Sequence, residues 1–214
     1  NYRSDNHRGR DMNSKQWAFI AMMSALGLLL SAISLNVAPL LGTVGQNGAA
    51  LDLSHVATFI AAIFAGPYVG AIVGFLSGIY AGYYFGFVMG TIGMLSVIGL
   101  PLGKALTGFT AGFLYKRFNV HKSSRPSTFT VPVILASYIP ECIYTILYFL
   151  YIVPYFYGGI WDFMILMVIP KAWIEITIMS FLMGALVENS GFKDFILKFF
   201  YAQSLEKIRA KKES

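Results

Sequence analysis

Apolar residues fill five long blocks of this 214-residue chain, and polar residues gather between them. The blocks with few charges are residues 16–35, 56–90, 92–114, 130–153 and 163–187. A helix needs about 20 apolar residues to cross the hydrocarbon core of a bilayer, so each block predicts a membrane helix. The second block is too long for one helix, and Gly66-Pro67 within it is a natural breaker. Splitting it into residues 54–65 and 68–90 predicts an all-α integral membrane bundle of six transmembrane helices.

The composition argues against a soluble domain. The residues are 57% hydrophobic and 12% charged, with a mean hydropathy of +0.64, whereas soluble domains carry about 25% charged residues. In a membrane protein, the net charge of +6 is explained by basic residues that set the orientation of the helices and contact anionic lipid. Nucleic-acid binding is disfavoured, because no soluble face is left to carry a basic patch.

The basic residues predict the orientation of the bundle. With six helices, both termini and the link between helices four and five share one side, and 14 of the 16 lysines and arginines lie there. The positive-inside rule then places both termini in the cytoplasm. Residues 1–15 are expected to form a flexible polar N-terminus or a leader, and residues 16–190 the membrane domain. Residues 191–214 are expected to form a cytoplasmic, amphipathic and basic tail.

A stripe of glycines marks the third predicted helix. Glycine recurs at every fourth position from Gly66 to Gly90. Small residues at this spacing let helix backbones approach closely in lipid. Because four residues turn about 40° beyond a full helical turn, the stripe winds around the helix and is expected to meet more than one neighbour.

Four ionisable residues lie inside the predicted spans: Lys104, Glu141, Lys171 and Glu175. At about 1.5 Å of rise per residue, they lie roughly 12–18 Å below the outer helix ends and share one level. A lone charge at the membrane centre costs about 2.5–3.5 kcal/mol on insertion scales, so opposite charges at one depth are expected to face inward and meet. This cluster is either a structural ion-pair network or a polar site reached from outside.

Further candidates surround this charged level. Asp52 and His55 lie at the outer mouth of helix two and are interpreted as its rim, and two tyrosines follow Glu141 by one and two turns. The first outer loop, residues 36–52, is rich in glycine and is expected to fold back over the bundle as a lid. The expected substrate contacts are Asn47, Asp52, His55, Lys104, Glu141, Tyr144, Tyr148, Lys171 and Glu175.

Catalytic and cofactor motifs find no support. Residues 99–105 read GLPLGKA, but a phosphate loop needs four residues between its glycines and a Ser or Thr after the lysine. The chain shows no HExxH zinc motif and no GxSxG elbow. The sequence therefore predicts no catalytic residue, no metal ligand and no cofactor in this chain.

Taken together, these features resemble the substrate-binding S component of an energy-coupling factor (ECF) vitamin transporter, over roughly residues 16–188. The most specific part is residues 51–79, LDLSHVATFIAAIFAGPYVGAIVGFLSGI, where a Gly-Pro turn follows an apolar helix. An inward Lys171 after a proline is similar to several members. The family couples to its partner through an Ala-x-x-x-Ala motif on helix one, which Ala21 and Ala25 match. Two alanines one turn apart make a flat patch that another helix can approach closely.

The resemblance implies a multi-pass plasma-membrane protein that binds a water-soluble vitamin from outside, beneath the first loop. It implies assembly with a membrane coupling protein and two ATPase subunits, which hydrolyse ATP, and no enzyme activity in this chain. The S component is thought to topple in the membrane and carry its site to the cytoplasm. Aromatic side chains near the site suit a flat ring, which favours riboflavin and then thiamine.

Two other hypotheses stay open at this point. A proton-coupled secondary transporter of a small polar solute would use Glu141 or Glu175 as the proton carrier, although such carriers often show internal repeats and none is visible here. An intramembrane enzyme would use Lys104 or Lys171 as a base, but the sequence offers no nucleophile to pair with either lysine.

Overall fold

The computed structural model describes residues 14–37, 52–90, 92–123 and 125–196, and these ranges contain helices and no strand. The six main helices are α1 (Ser14–Val37), α2 (His55–Ala65), α3 (Pro67–Val88), α4 (Gly93–Arg117), α5 (Pro126–Tyr157) and α6 (Asp162–Glu188). Five are long and apolar enough to cross a membrane, and α2 is a shorter apolar helix of 11 residues. The predicted all-α architecture is confirmed for the described residues, and the count of six transmembrane helices stays a prediction, because α2 is too short to span a membrane by this criterion.

The predicted break between the second and third helices falls at Gly66-Pro67. Gly66 has a φ of +100°, a backbone conformation that L side chains rarely adopt. Pro67 is the first residue of α3, where its missing N–H has no helical partner to lose. The two residues therefore end α2 and start α3 without an intervening loop.

Helices α3 and α5 contain irregular turns that face the interior of the bundle. In α5, a turn separates the segments Pro126–Ser137 and Ile139–Leu147, and Pro140, which has no N–H to donate, lies at the start of the second segment. A π-helical turn at Tyr148–Ile152 follows in α5, and another at Tyr84–Val88 ends α3. Such π turns are frequent at functional sites. Each of these two turns contributes a phenylalanine to the cavity described below.

The glycine stripe packs α3 directly onto the backbone of α4. A Cβ built on any of five stripe glycines would come within 3.0 Å of α4 atoms: Gly70, Gly74, Gly78, Gly82 and Gly86. A Cβ at Gly70 or Gly74 would also approach α2, at Ala62 and Thr58 respectively. The expectation of more than one neighbour is therefore confirmed. An i±4 ridge runs obliquely to the helix axis, so one crossing helix can follow the whole stripe.

One end of the bundle collects five of the described cations. Gly184, near the end of α6, packs near Ser127 at the start of α5. The basic residues at this end are Lys116, Arg117, Lys122, Arg125 and Lys193. The clustering agrees with the predicted arrangement of the segments, and their cytoplasmic placement stays a prediction.

The terminal regions fall largely outside the described residues. α1 already includes Ser14 and Lys15, two residues earlier than the predicted start of the membrane domain. Residues 190–196 are helical, and the Phe192 ring lies edge-on to Phe64 at 5.8 Å, while Ile196 is buried. The beginning of the predicted tail therefore packs against the bundle. Residues 1–13 and 197–214 lie outside the described residues.

Candidate functional site

A cavity of about 450 Å³ lies among α3, α4, α5 and α6, in the half of the bundle away from the basic end. Its polar lining, here called the polar floor, comprises Asp52, His55, Lys104, Tyr138, Glu141, Thr145, Lys171 and Glu175. Its apolar walls are formed mainly by Phe85, Met89, Ile92, Phe149, Trp161, Phe163, Met164, Met167 and Val168. Ligand pockets are typically 300–1,000 Å³ with mostly apolar walls and a few convergent polar groups, and this cavity has both properties.

A buried ionic cluster ties the entrance of α2 to α4 and α6. The Lys104 ammonium contacts the Asp52 carboxylate and donates to the Ser54 hydroxyl. The Asp52 backbone N–H donates to Glu175 Oε1 at 2.7 Å, and the Ser54 N–H donates to Asp52 Oδ1 at 3.0 Å. All four residues are buried. Asp52 therefore links α4 and α6 at one point of the polar floor.

The remaining charged groups make one ion pair, one hydrogen bond and one longer contact. Lys171 Nζ lies 3.3 Å from Glu175 Oε1, one turn along α6. The Thr107 hydroxyl donates to Glu141 Oε2. His55 Nε2 lies 3.6 Å from the same carboxylate oxygen, which is too long for a hydrogen bond. The polar floor thus gathers three carboxylates, two ammonium groups and one imidazole in one layer, of which Lys171 and Glu141 are partly exposed.

The structure brings most of the sequence-predicted site residues together. Six of the nine line the cavity: Asp52, His55, Lys104, Glu141, Lys171 and Glu175. Opposite charges among them meet as pairs, as the cost of a lone charge in lipid requires. Their role in binding a substrate stays a prediction. Asn47, and the predicted lid apart from its ends, lie outside the described residues.

Tyr144 and Tyr148 are placed differently from the expectation, because neither lines the cavity. A Cβ at Gly99 would lie 2.5 Å from the Tyr148 ring, and one at Gly103 would lie 3.5 Å from the Tyr144 ring, so both tyrosines face α4. The cavity face of α5 instead runs through residues 138, 141, 145 and 149. Residues three and four positions along a helix both share a face with the first residue, and here Thr145 and Phe149 line the cavity in place of Tyr144 and Tyr148.

Sequence analysis missed several residues of the site. Tyr138 precedes Glu141 by three residues, and Thr107 follows Lys104 by three, so both share a helix face with a predicted charge and helical spacing could have identified them. The wall residues carried no such signal, because phenylalanine and methionine are abundant throughout the apolar blocks. Within the described ranges, no three His, Cys, Asp or Glu residues are placed to hold a metal ion.

The helices and the cavity define a multi-pass membrane protein with a ligand-sized internal site. A family model described as the substrate-specific component of an ECF transporter matches residues 15–187, and the chain belongs to this family. The resemblance drawn from the sequence is thereby confirmed, and the protein is a transporter component and not an enzyme. Comparisons with curated proteins and with solved structures gave no match.

Proposed function

We propose that this protein binds a water-soluble vitamin in the cavity and serves its uptake as the S component of an ATP-driven ECF transporter of the plasma membrane. Riboflavin is the first candidate and thiamine the second. The observation that carries the proposal is the polar floor, a layer of paired charges beneath aromatic and thioether walls. Such a cavity suits a polar molecule with a flat ring, which cannot cross lipid unaided.

The wall composition supports a ring system as the ligand. The aromatic side chains of Phe85, Phe149 and Trp161 face the cavity, and the methionines beside them are adaptable, polarizable surfaces for a ring. Trp161 is held in place because its indole N–H donates to the Gly158 carbonyl at 2.7 Å. A fixed indole at the mouth and charged groups at the floor would orient a ligand with one flat apolar part and one polar part.

Partner subunits supply the energy in this proposal. Residues 99–105, which resemble a phosphate loop in composition, lie inside α4, where Gly99 and Gly103 pack against α5 and leave no loop to hold a phosphate. The membrane coupling protein would dock on α1. Ala21 and Ala25 are exposed on this helix, beside Met22 at 40% exposure, and they form a flat apolar patch one turn long.

The ligand that co-purifies with the protein tests the proposal directly. Absorbance and mass spectrometry of the purified protein are expected to identify a vitamin, and a yellow preparation would identify riboflavin. Reconstituted vesicles provide the opposing test. Uptake driven by a pH gradient, without any partner subunit, would overturn the proposal in favour of a proton-coupled carrier that uses Glu141 or Glu175.

Docking on α1 is tested separately. Ala21→Trp or Ala25→Trp is expected to leave ligand affinity unchanged and to block co-purification with the coupling protein, because the indole prevents close helix approach. Ile178→Trp is the matched control, since Ile178 is 54% exposed on α6 and is expected to spare both properties. Normal assembly of both α1 variants would show that the assignment of the docking face is wrong.

A further inference from the structure

The imidazole of His55 is buried beside the cavity without a hydrogen-bond partner among the described residues. His55 begins α2, is 5% exposed and lines the cavity, and its ring lies 6.0 Å from that of Phe59. Among the residues that the structure describes, neither of its ring nitrogens has a hydrogen-bond partner. A buried polar group in this condition carries a desolvation penalty that a bound molecule can remove.

The other charged groups of the polar floor are already engaged. Lys104 is held by Asp52 and Ser54, and Glu175 is held by Lys171 and by the Asp52 backbone N–H. Unused hydrogen-bonding capacity remains at the Lys171 ammonium, whose side chain is 20% exposed, and where His55 Nε2 faces the neighbouring carboxylate of the floor at 3.6 Å.

Glu141 is that carboxylate, and its charge is not matched by a lysine. The polar floor holds three carboxylates and two ammonium groups, and each ammonium is paired with Asp52 or Glu175. The Thr107 hydroxyl donates a hydrogen bond to Glu141, and the His55 ring lies beside the same carboxylate. A largely buried carboxylate in this environment favours a ligand group that donates a hydrogen bond. It disfavours a ligand group that carries a second negative charge.

We infer that His55 and Glu141 form a recognition subsite for the edge of a planar nitrogen heterocycle. A ligand N–H donates to the Glu141 carboxylate, and an adjacent ligand atom exchanges a hydrogen bond with His55 Nε2, the ring nitrogen on the Glu141 side. The inference rests on the proposed function and specifies which end of the vitamin enters first. The imide edge of riboflavin and the aminopyrimidine edge of thiamine both carry this pattern. A vitamin whose inserted end is a carboxylate would bring a fourth negative charge to the floor, so it is expected to bind weakly.

Calorimetric titration of the full chain in detergent with riboflavin, and with thiamine in parallel, tests the subsite. Glu141→Gln keeps the shape of the side chain and removes its charge, and it is expected to weaken binding about 10- to 100-fold, as loss of a charged hydrogen bond implies. His55→Phe keeps the ring and removes both nitrogens, and a loss of about 5- to 10-fold is expected from neutral hydrogen bonds. Cys142→Ala is the matched control, because Cys142 neighbours Glu141 on α5 but packs into the apolar core.

A modified ligand separates recognition from a merely structural role. For riboflavin, methylation at N3 removes the imide N–H, so it is expected to weaken binding to the natural protein. The same methylation is expected to cause little further loss in Glu141→Ala, because the acceptor is already gone. Equal losses from methylation in both proteins would overturn the contact with Glu141.

The outcomes distinguish this inference from the proposed function. If Glu141→Gln and His55→Phe both bind the vitamin with unchanged affinity, the subsite inference is refuted and the transport proposal stands. If neither vitamin binds, the vitamin assignment fails, and the subsite is then judged by the molecule that co-purifies. A co-purified nitrogen heterocycle that is lost from Glu141→Gln would support the subsite, and a ligand held by its carboxylate or retained by both variants would overturn it.

Discussion

The contact between Gly74 and α4 joins helix packing to the site, and Gly74→Ala tests this connection. A Cβ at Gly74 would lie 2.5 Å from the Lys104 carbonyl oxygen and 2.9 Å from its carbonyl carbon, and ordinary contact begins at 3.4 Å. Restoring 3.4 Å from 2.5 Å requires α3 and α4 to separate by about 0.9 Å at this point. The obstacle is backbone and not a flexible side chain, so it cannot rotate away.

Overpacking of this kind costs about 1–3 kcal/mol. At roughly 2–4 °C per kcal/mol for a chain of this size, the melting temperature is expected to fall by about 2–12 °C. Ligand affinity is also expected to fall, because the displaced backbone carries Lys104, whose ammonium holds Asp52 in the polar floor. Thermal unfolding in detergent, followed by the reactivity of the single cysteine, Cys142, measures the first effect, and calorimetric titration measures the second.

Gly184→Ala is the control for this experiment. A Cβ at Gly184 would lie 3.3 Å from a methyl group of Val131 and 3.4 Å from the Ser127 carbonyl oxygen, which is close to ordinary contact. Its melting temperature is expected to stay within about 2 °C of that of the natural protein, since the small residual clash is with a side chain. Equal melting temperatures for Gly74→Ala and Gly184→Ala would refute the argument that α3 and α4 meet backbone to backbone.

Three further predictions follow from the site. Lys104→Met leaves Asp52 buried without its cation, so it is expected to cost about 3–5 kcal/mol; adding Asp52→Asn should recover part of the lost melting temperature, and no recovery would argue against the pair. Lys171→Ala is expected to weaken ligand binding at least about 10-fold while membrane insertion in a fractionation assay stays normal; unchanged affinity would reduce this lysine to a structural role. Because Trp161 lines the cavity whereas Trp17 is 55% exposed on α1, Trp161→Phe is expected to remove most ligand-induced fluorescence quenching and Trp17→Phe to remove little; the reverse result would place the ligand elsewhere.

The sequence was sufficient to predict the features that a lipid bilayer imposes on the chain. Long apolar blocks in a bilayer have to form helices, and Gly66-Pro67 has to interrupt one of them. The meeting of Lys104, Lys171 and Glu175 with opposite charges could also be predicted, because burial of unpaired charges in hydrocarbon is costly. These expectations rest on energies of several kcal/mol and are insensitive to local detail.

The finer geometry of the site depends on smaller effects and could not be predicted. Helical spacing from Glu141 allowed Tyr144 and Tyr148 on the cavity face, but Thr145 and Phe149, one residue further along in each turn, line the cavity instead. The partner of Glu141 is Thr107, which shares a helix face with Lys104, but this spacing alone does not show which carboxylate its hydroxyl reaches. A difference of one residue in which side chain faces the cavity therefore lies below what helical spacing can resolve.

The direct contact of α3 with α4 has a consequence for motion within the protein. Glycine carries no rotamers, so this interface has no side-chain conformations to exchange, and it resists gradual deformation as close-packed cores do. Helices α5 and α6 meet the cavity through side chains and not through backbone, and Met164 and Met167 of α6 can change rotamer at modest cost. If the cavity widens to let a ligand pass, α5 and α6 are therefore expected to move while the α3–α4 pair stays rigid.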